Sequence, residues 1–249
     1  MELPIDSGGT VVDYPVVLQF SRLFLNRPED QATTADIVVV IDVLRSFTTA
    51  AIALARGALA VYPVQNPDCV GTICARLAHP VSAGAAAGGA PIPGLDFGNS
   101  PSAFLNADLK GKNVVISTAA GVRGLHCFRS ARQLYAASLV CAKATAEAIR
   151  ETRGEDICFV ITGEWDDRDG DEDIACADYI ESLLRGESTD SEVFARRVRM
   201  SDFGARFATG TSPNLPRADL DIAAHPDLVG FAMPVHFGAE GLVILLDRK

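Results

Sequence analysis

Side chains suited to phosphate chemistry directly follow a short apolar run near the start of the chain. The β-branched run Ile37–Ile41 stops at Asp42, and Arg45 and Ser46 come shortly afterwards. A carboxylate such as Asp42 can hold a hard cation, and an arginine can grip an oxyanion with two parallel N–H groups. A structural alternative stays open, in which Asp42 caps the following helix and Arg45 pairs with Asp42.

The elements that position these residues are a strand, a short turn and a helix. A short continuous apolar run is typical of a strand buried on both faces. The alanine-rich segment that follows has a helical pattern up to Arg56, and Gly57 suits the helix end. Ligands bind at the carboxyl ends of strands in open α/β sheets, and free N–H groups at a helix start attract phosphate. Residues 36–56 are therefore the expected centre of a site.

A second group of carboxylates follows the predicted strand Ile157–Thr162. Seven of the eleven residues in 163–173 are acidic, and most of them are expected in a solvated loop. Glu172 and Asp173 differ because they open a predicted helix directly after a strand. They either suit the helix dipole or complete an oxygen-ligand magnesium site with Asp42.

A long segment rich in glycine and proline, residues 82–101, has no predicted structure of its own. Loops of this length are usually functional or disordered. Asp96, Asn99 and Ser100 could converge on a ligand there, because small residues allow close backbone approach. The alternative is a flexible surface loop.

The remaining pattern alternates strands with helices. Residues 113–117 predict a strand that leads into Thr118 and a small-residue turn, a second strand-turn-helix unit. Such alternation predicts an α/β fold with a mainly parallel or mixed sheet and helices on both faces. Without a linker or repeat, we expect a single domain over residues 1–249.

Composition excludes several classes of partner. The chain has 249 residues, 48% of them hydrophobic, and a formal net charge of -10, which argues against nucleic acid. We expect no signal peptide and no membrane span. The six cysteines form no CxxC pair, so reduced thiols in a cytoplasmic protein are expected. P-loop, GxGxxG and GxSxG motifs are absent from the sequence.

Three stretches in this order and spacing resemble the 2-phosphosulfolactate phosphatase family, the ComB-like proteins. They are IDVLRSFTTA, GLDFGNSP and DEDIACA, and the resemblance extends over roughly residues 36–240. It implies a ComB-like α/β fold and a magnesium-dependent phosphatase. The family's substrate is an α-hydroxy acid phosphate that carries a sulfonate. A small anionic phosphorylated substrate is thus the expected partner, and a homodimer is an open alternative to a monomer.

The resemblance also implies roles for individual residues. The implied catalytic residues are Asp42, Arg45 and Asp173. The implied Mg²⁺ ligands are Asp42, Glu172 and Asp173. The implied substrate-binding residues are Arg45, Ser46, Asp96, Asn99, Ser100 and Thr118.

Three positions depart from the family's pattern. A charged pair ahead of the GNSP motif is replaced within Gly84–Ala87, and the turn after Thr118 reads Ala119-Ala120-Gly121 without its asparagine. A later asparagine is Cys141. The alternative function is therefore a non-catalytic descendant that binds a phosphorylated or sulfonated ligand.

Overall fold

Strands and helices alternate through most of the structure. The computed structural model describes residues 18–27, 33–152 and 154–246. The strands are β1 Gln19–Phe24, β2 Ile37–Ile41, β3 Ala60–Val64, β4 Pro80–Gly84, β5 Asn113–Ser117, β6 Gln133–Ala137, β7 Asp156–Ile161, β8 Glu164–Trp165, β9 Arg168–Asp169, β10 Met233–Gly238 and β11 Gly241–Ile244. The helices are α1 Ser46–Ala55, α2 Val70–Cys74, α3 Pro101–Leu105, α4 Ala120–Cys127, α5 Ala142–Glu151, α6 Asp171–Leu184, α7 Ser191–Met200, α8 Asp202–Ala208 and α9 Arg217–Ala223.

Nine of these strands form one mixed sheet in the order β1-β7-β2-β6-β10-β11-β3-β5-β4. The four strands from β1 to β6 in this order pair in parallel, and so do β3, β5 and β4. The antiparallel hairpin β10–β11 joins the two parallel groups. The short pair β8–β9 forms a separate hairpin after β7. The predicted α/β class with a mixed sheet is confirmed.

Helices cover both faces of the sheet, and β2 shows why. All five residues of β2 are fully buried, as the apolar run predicted. Val38 and Val40 pack in one core cluster with residues of α1 and α4. Ile37, Val39 and Ile41 pack in the other cluster with residues of α5 and α6. A strand buried on both faces needs apolar residues at every position, because successive side chains point to opposite faces.

Several elements differ from the sequence-based expectation. The predicted loop 82–101 contains the end of β4, a strand of small residues that pairs in parallel with β5. Ala83 of β4 also forms an isolated parallel bridge with Phe97. The sequence pattern of residues 191–208 predicts one helix, but the segment forms two, because Ser201 has extended backbone and caps α8 by accepting the Gly204 N–H. The sequence pattern of residues 11–20 predicts a further strand, most of which lies outside the described residues. No helix in the described ranges is long and apolar enough to cross a membrane.

Candidate active site

Asp42 occupies the end of β2 and organises the start of α1. Its Oδ1 atom accepts the Ser46 N–H at 2.9 Å, and its main-chain oxygen accepts the Phe47 N–H at 3.1 Å. The prediction that the N–H groups at this helix start are free is therefore wrong for Ser46 and Phe47, because both groups donate to Asp42. The structure thus contains the helix-start contact that the structural alternative for Asp42 required.

The start of α4 also contacts Asp42. A methyl group added at Gly121 would lie 2.9 Å from both Asp42 Oδ2 and Phe47 Cζ. Glycine is therefore needed at this position for the close approach of helix and carboxylate. Burial raises the pKa of Asp42, although the hydrogen bonds from Ser46 and Gly121 act in the opposite direction.

Three of the predicted substrate-binding residues meet beside Asp42. The hydroxyl groups of Ser46 and Thr118 are 2.6 Å apart, and Asn99 Nδ2 donates to Ser46 Oγ at 3.4 Å. Asn99 Oδ1 is buried without a protein hydrogen-bond partner within the described ranges. We call Asp42, Ser46, Asn99 and Thr118 the polar cluster. It joins the turns after β2 and β5 to the segment that precedes α3.

Asp173 links the ends of β2 and β7. Its Oδ1 atom accepts the Val43 N–H at 2.8 Å, while Oδ2 accepts the N–H groups of Thr162 and Gly163 at 3.0 and 2.7 Å. The Thr162 hydroxyl lies 3.2 Å from the same Oδ2 atom. Burial and the neighbouring charges of Glu172 and Asp42 raise the pKa of Asp173. Asp173 is therefore close to both other predicted metal ligands, but three N–H donors already occupy its oxygens.

Glu172 has an unused oxygen. Its Oε2 atom is buried and has no hydrogen-bond partner in the described part of the chain. Burial raises the pKa of Glu172 to about 7, and the nearby Arg168 charge opposes this shift. A buried carboxyl oxygen without a partner is costly, so this atom requires a proton, a cation or a ligand.

Arg45 is bound within the protein. Its Nη1 atom donates to Asp219 Oδ2 at 2.9 Å and to the main-chain oxygen of Asn214 at 3.0 Å, and Nη2 donates to the Gly89 oxygen at 3.3 Å. The structural alternative predicted an ion pair between Arg45 and Asp42. That prediction is wrong, because Arg45 pairs with Asp219. Ser100 also belongs to this group, since its hydroxyl donates to Asp219 Oδ1 at 2.7 Å.

Asp96 does not join the other predicted residues. Its side chain is exposed, and Oδ2 accepts both the N–H and the hydroxyl of Ser82, at 2.8 and 2.7 Å. These bonds lower the pKa of Asp96. They fix the glycine-rich segment to β4. The prediction that Asp96 converges with Asn99 and Ser100 on one ligand is therefore corrected.

Sequence reasoning missed three polar residues of this region, Asp219, Thr162 and Arg168. Asp219 is buried and accepts hydrogen bonds from Arg45 and Ser100, yet no pattern marks it in the sequence. Thr162 ends a buried strand, the same position that drew attention to Asp42. Arg168 is the lone basic residue in the acidic run 163–173, and that contrast could have identified it.

The predicted metal ligands fit a metal ion only in part. Within the described ranges, no group of three or more His, Cys, Asp or Glu side chains is arranged to hold a metal ion. The oxygens of Asp173 accept three N–H groups, so the predicted three-carboxylate set of Asp42, Glu172 and Asp173 is not assembled. Glu172 alone among them has a buried oxygen without a partner. Mg²⁺ commonly uses one or two carboxylates and completes its shell with water and substrate phosphate.

The fold and the site define an α/β protein with acidic, hydroxyl and amide groups gathered where strands end. A sequence profile of the family described as 2-phosphosulpholactate phosphatase matches residues 25–207. A probable 2-phosphosulfolactate phosphatase of Carboxydothermus hydrogenoformans is 39% identical over 219 residues, which cover 87% of this chain and 84% of the relative. Proteins with the same name from Thermus thermophilus and Bacillus subtilis are 34% and 28% identical, and the matches cover 69% and 86% of this chain and 73% and 92% of those relatives. The chain belongs to the 2-phosphosulfolactate phosphatase family, which consists of phosphoric monoester hydrolases.

Proposed function

We propose that this phosphatase hydrolyses the phosphate monoester of a small acidic metabolite, with 2-phosphosulfolactate, the compound in its relatives' names, as the first candidate. The observation that supports this most is the polar cluster, because residues from three separate segments of the chain meet there through hydrogen bonds. Hydroxyl and amide groups can bind phosphoryl oxygens. The buried, unpartnered Asn99 Oδ1 marks a place where a further polar group would be satisfied.

In this proposal the residues of the polar cluster have separate tasks. Ser46 and Thr118 orient the phosphoryl group, and Asn99 fixes the Ser46 hydroxyl. Asp42 donates a proton to the leaving alcohol oxygen, which needs one when water adds to phosphorus and the ester bond breaks. A buried carboxyl whose pKa is raised holds a proton more readily at neutral pH than an exposed one.

The proposal includes Mg²⁺, with Glu172 as the protein ligand that has an unused oxygen. Support comes from the buried Oε2 atom, which has no partner among the described residues. A bound Mg²⁺ ion would neutralise negative charge on the phosphoryl oxygens. Dependence on the metal is open to direct measurement, because the apoenzyme can be prepared with a chelator.

A substrate panel tests the proposed function. Release of inorganic phosphate would be measured with an aryl phosphate, phosphorylated hydroxy acids and a sulfonated hydroxy acid phosphate, with and without Mg²⁺. We expect turnover with Mg²⁺ and a preference for the acidic compounds. Absence of phosphate release from all of them would contradict the proposal. Tight binding of the same compounds without turnover would support the ligand-binding alternative.

A further inference from the structure

We propose that Arg168 is the arginine that binds the transferred phosphoryl group, an inference that rests on the proposed phosphatase function. Arg168 lies in β9, in the hairpin between β7 and α6. Glu172 follows it by four positions and lies in the first turn of α6. This position brings a guanidinium group to the acidic side of the site.

Aromatic rings hold the Arg168 guanidinium in place. Its Cζ atom lies 4.4 Å from the ring centre of Phe203 in α8 and 5.6 Å from that of Trp165 in β8. Such stacking uses the faces of the planar group and leaves the N–H groups on its edges for other partners. An arginine positioned in this way can bind a phosphoryl group through two parallel hydrogen bonds.

Those N–H groups have no protein acceptor among the residues that the structure describes. Arg168 forms no ion pair within 4.0 Å there, and its Nε atom is buried without a hydrogen-bond partner. Arg45 differs, since three protein oxygens from Asp219, Asn214 and Gly89 accept its hydrogen bonds. Of these two arginines, Arg168 has the unused donor that an oxyanion requires.

The charge of Arg168 reaches the carboxylates of the site. Burial raises the pKa of both Asp42 and Glu172, and the positive charge of Arg168 opposes part of each rise. A phosphoryl group that bears negative charge would be repelled by carboxylates beside it. A guanidinium at this place offsets that repulsion and attracts the substrate.

The test compares Arg168→Lys with Arg206→Lys. Arg206 is a matched control, because its guanidinium contacts the same Phe203 ring at 5.7 Å, yet it pairs with Asp167 at 3.0 Å. With an aryl phosphate, we expect Arg168→Lys to lower kcat/KM by about tenfold or more, since lysine cannot form the two-pronged contact. Arg206→Lys should stay within about twofold of wild type, because exposed ion pairs contribute little. Inorganic phosphate binding, measured by calorimetry, should follow the same order.

The outcomes separate this inference from the proposed function. If wild type binds phosphate without hydrolysing any ester, the proposed function fails, but selective loss of binding in Arg168→Lys still supports the inference. Unchanged kcat/KM and phosphate affinity in Arg168→Lys would overturn it. Equal losses in both variants would also overturn it, because they would reflect a disturbed hairpin. A loss of kcat/KM confined to acidic substrates would also overturn it, because Arg168 would then bind the carboxylate or sulfonate of the substrate and not its phosphoryl group.

Discussion

Arg45 and Asp219 form a buried ion pair, with Arg45 Nη1 2.9 Å from Asp219 Oδ2. Asp219 also accepts hydrogen bonds from the Ser100 hydroxyl and from the N–H and hydroxyl of Ser102. One carboxylate in α9 therefore joins the turn after β2 to the start of α3. Two of the sequence motifs that carry the family resemblance are held together by a residue outside both.

This pair makes Arg45→Lys primarily a stability variant. Removal of one partner from a buried pair costs about 3–5 kcal/mol, and lysine, which keeps the charge but not the fork, should cost part of that amount. We expect a clearly lower Tm in a thermal melt. Arg56→Lys at the exposed end of α1 is the control and should melt like wild type. An unchanged Tm with much weaker phosphate binding would contradict this prediction and would indicate that Arg45 binds the phosphoryl group.

Asp173→Asn should destabilise the protein, although it removes a buried charge. The amide nitrogen of asparagine would face N–H groups of Val43, Thr162 or Gly163 that now donate to the carboxylate. Each buried donor left unpaired costs roughly 1–3 kcal/mol, which should exceed the relief from losing the charge. The urea unfolding midpoint measures the effect. Asp166→Asn, at an exposed position of the same acidic run, should leave the midpoint in place.

The stability of the protein should fall as pH rises from about 4.5 to 7 in metal-free buffer. The pKa of Glu172 is raised from 4.5 to about 7 in the folded state, so folding takes up protons within this window and loses stability as pH rises. The shift corresponds to at most about 3 kcal/mol. Glu172→Gln should flatten the dependence of Tm on pH. A profile as steep in the variant as in wild type would contradict the role given to Glu172.

Gly121→Ala should lower activity while the chain still folds. The added methyl group would lie 2.9 Å from Asp42 Oδ2 and Phe47 Cζ, so the carboxylate or the start of α4 must shift. Gly71→Ala in α2 is the matched control, because no atom lies within 4 Å of its added methyl group. The control should gain about 0.5–1 kcal/mol of stability and keep wild-type kcat/KM. Equal activity in both variants would show that Asp42 tolerates displacement.

The sequence predicted the strands and helices around the polar cluster well. The apolar run of β2 and the strand β5 have unambiguous patterns, and Asp42, Ser46 and Thr118 follow directly from the places where these strands end. Local patterns suffice there because buried strands require apolar residues at every position. Asn99, which the glycine-rich segment 82–101 had already suggested and the family resemblance implied again, also lies in this cluster.

The sequence could not predict the pairings between distant segments. Arg45 and Asp219 are 174 positions apart, and Asp173 reaches Val43 across 130 positions. Such contacts depend on how elements pack, and no local period encodes them. The same limit explains why Asp96 was expected with Asn99, since nearness along a loop does not fix which way a side chain points.

The central claim is that Asp42 acts in phosphate ester hydrolysis, and Asp42→Asn tests it most directly. Asparagine retains an oxygen that can accept the Ser46 N–H, so the fold should persist. We predict that kcat/KM for a phosphorylated hydroxy acid, measured with Mg²⁺, falls by on the order of a hundredfold or more, while Asp166→Asn remains active. An Asp42→Asn enzyme that keeps wild-type kcat/KM would contradict the account.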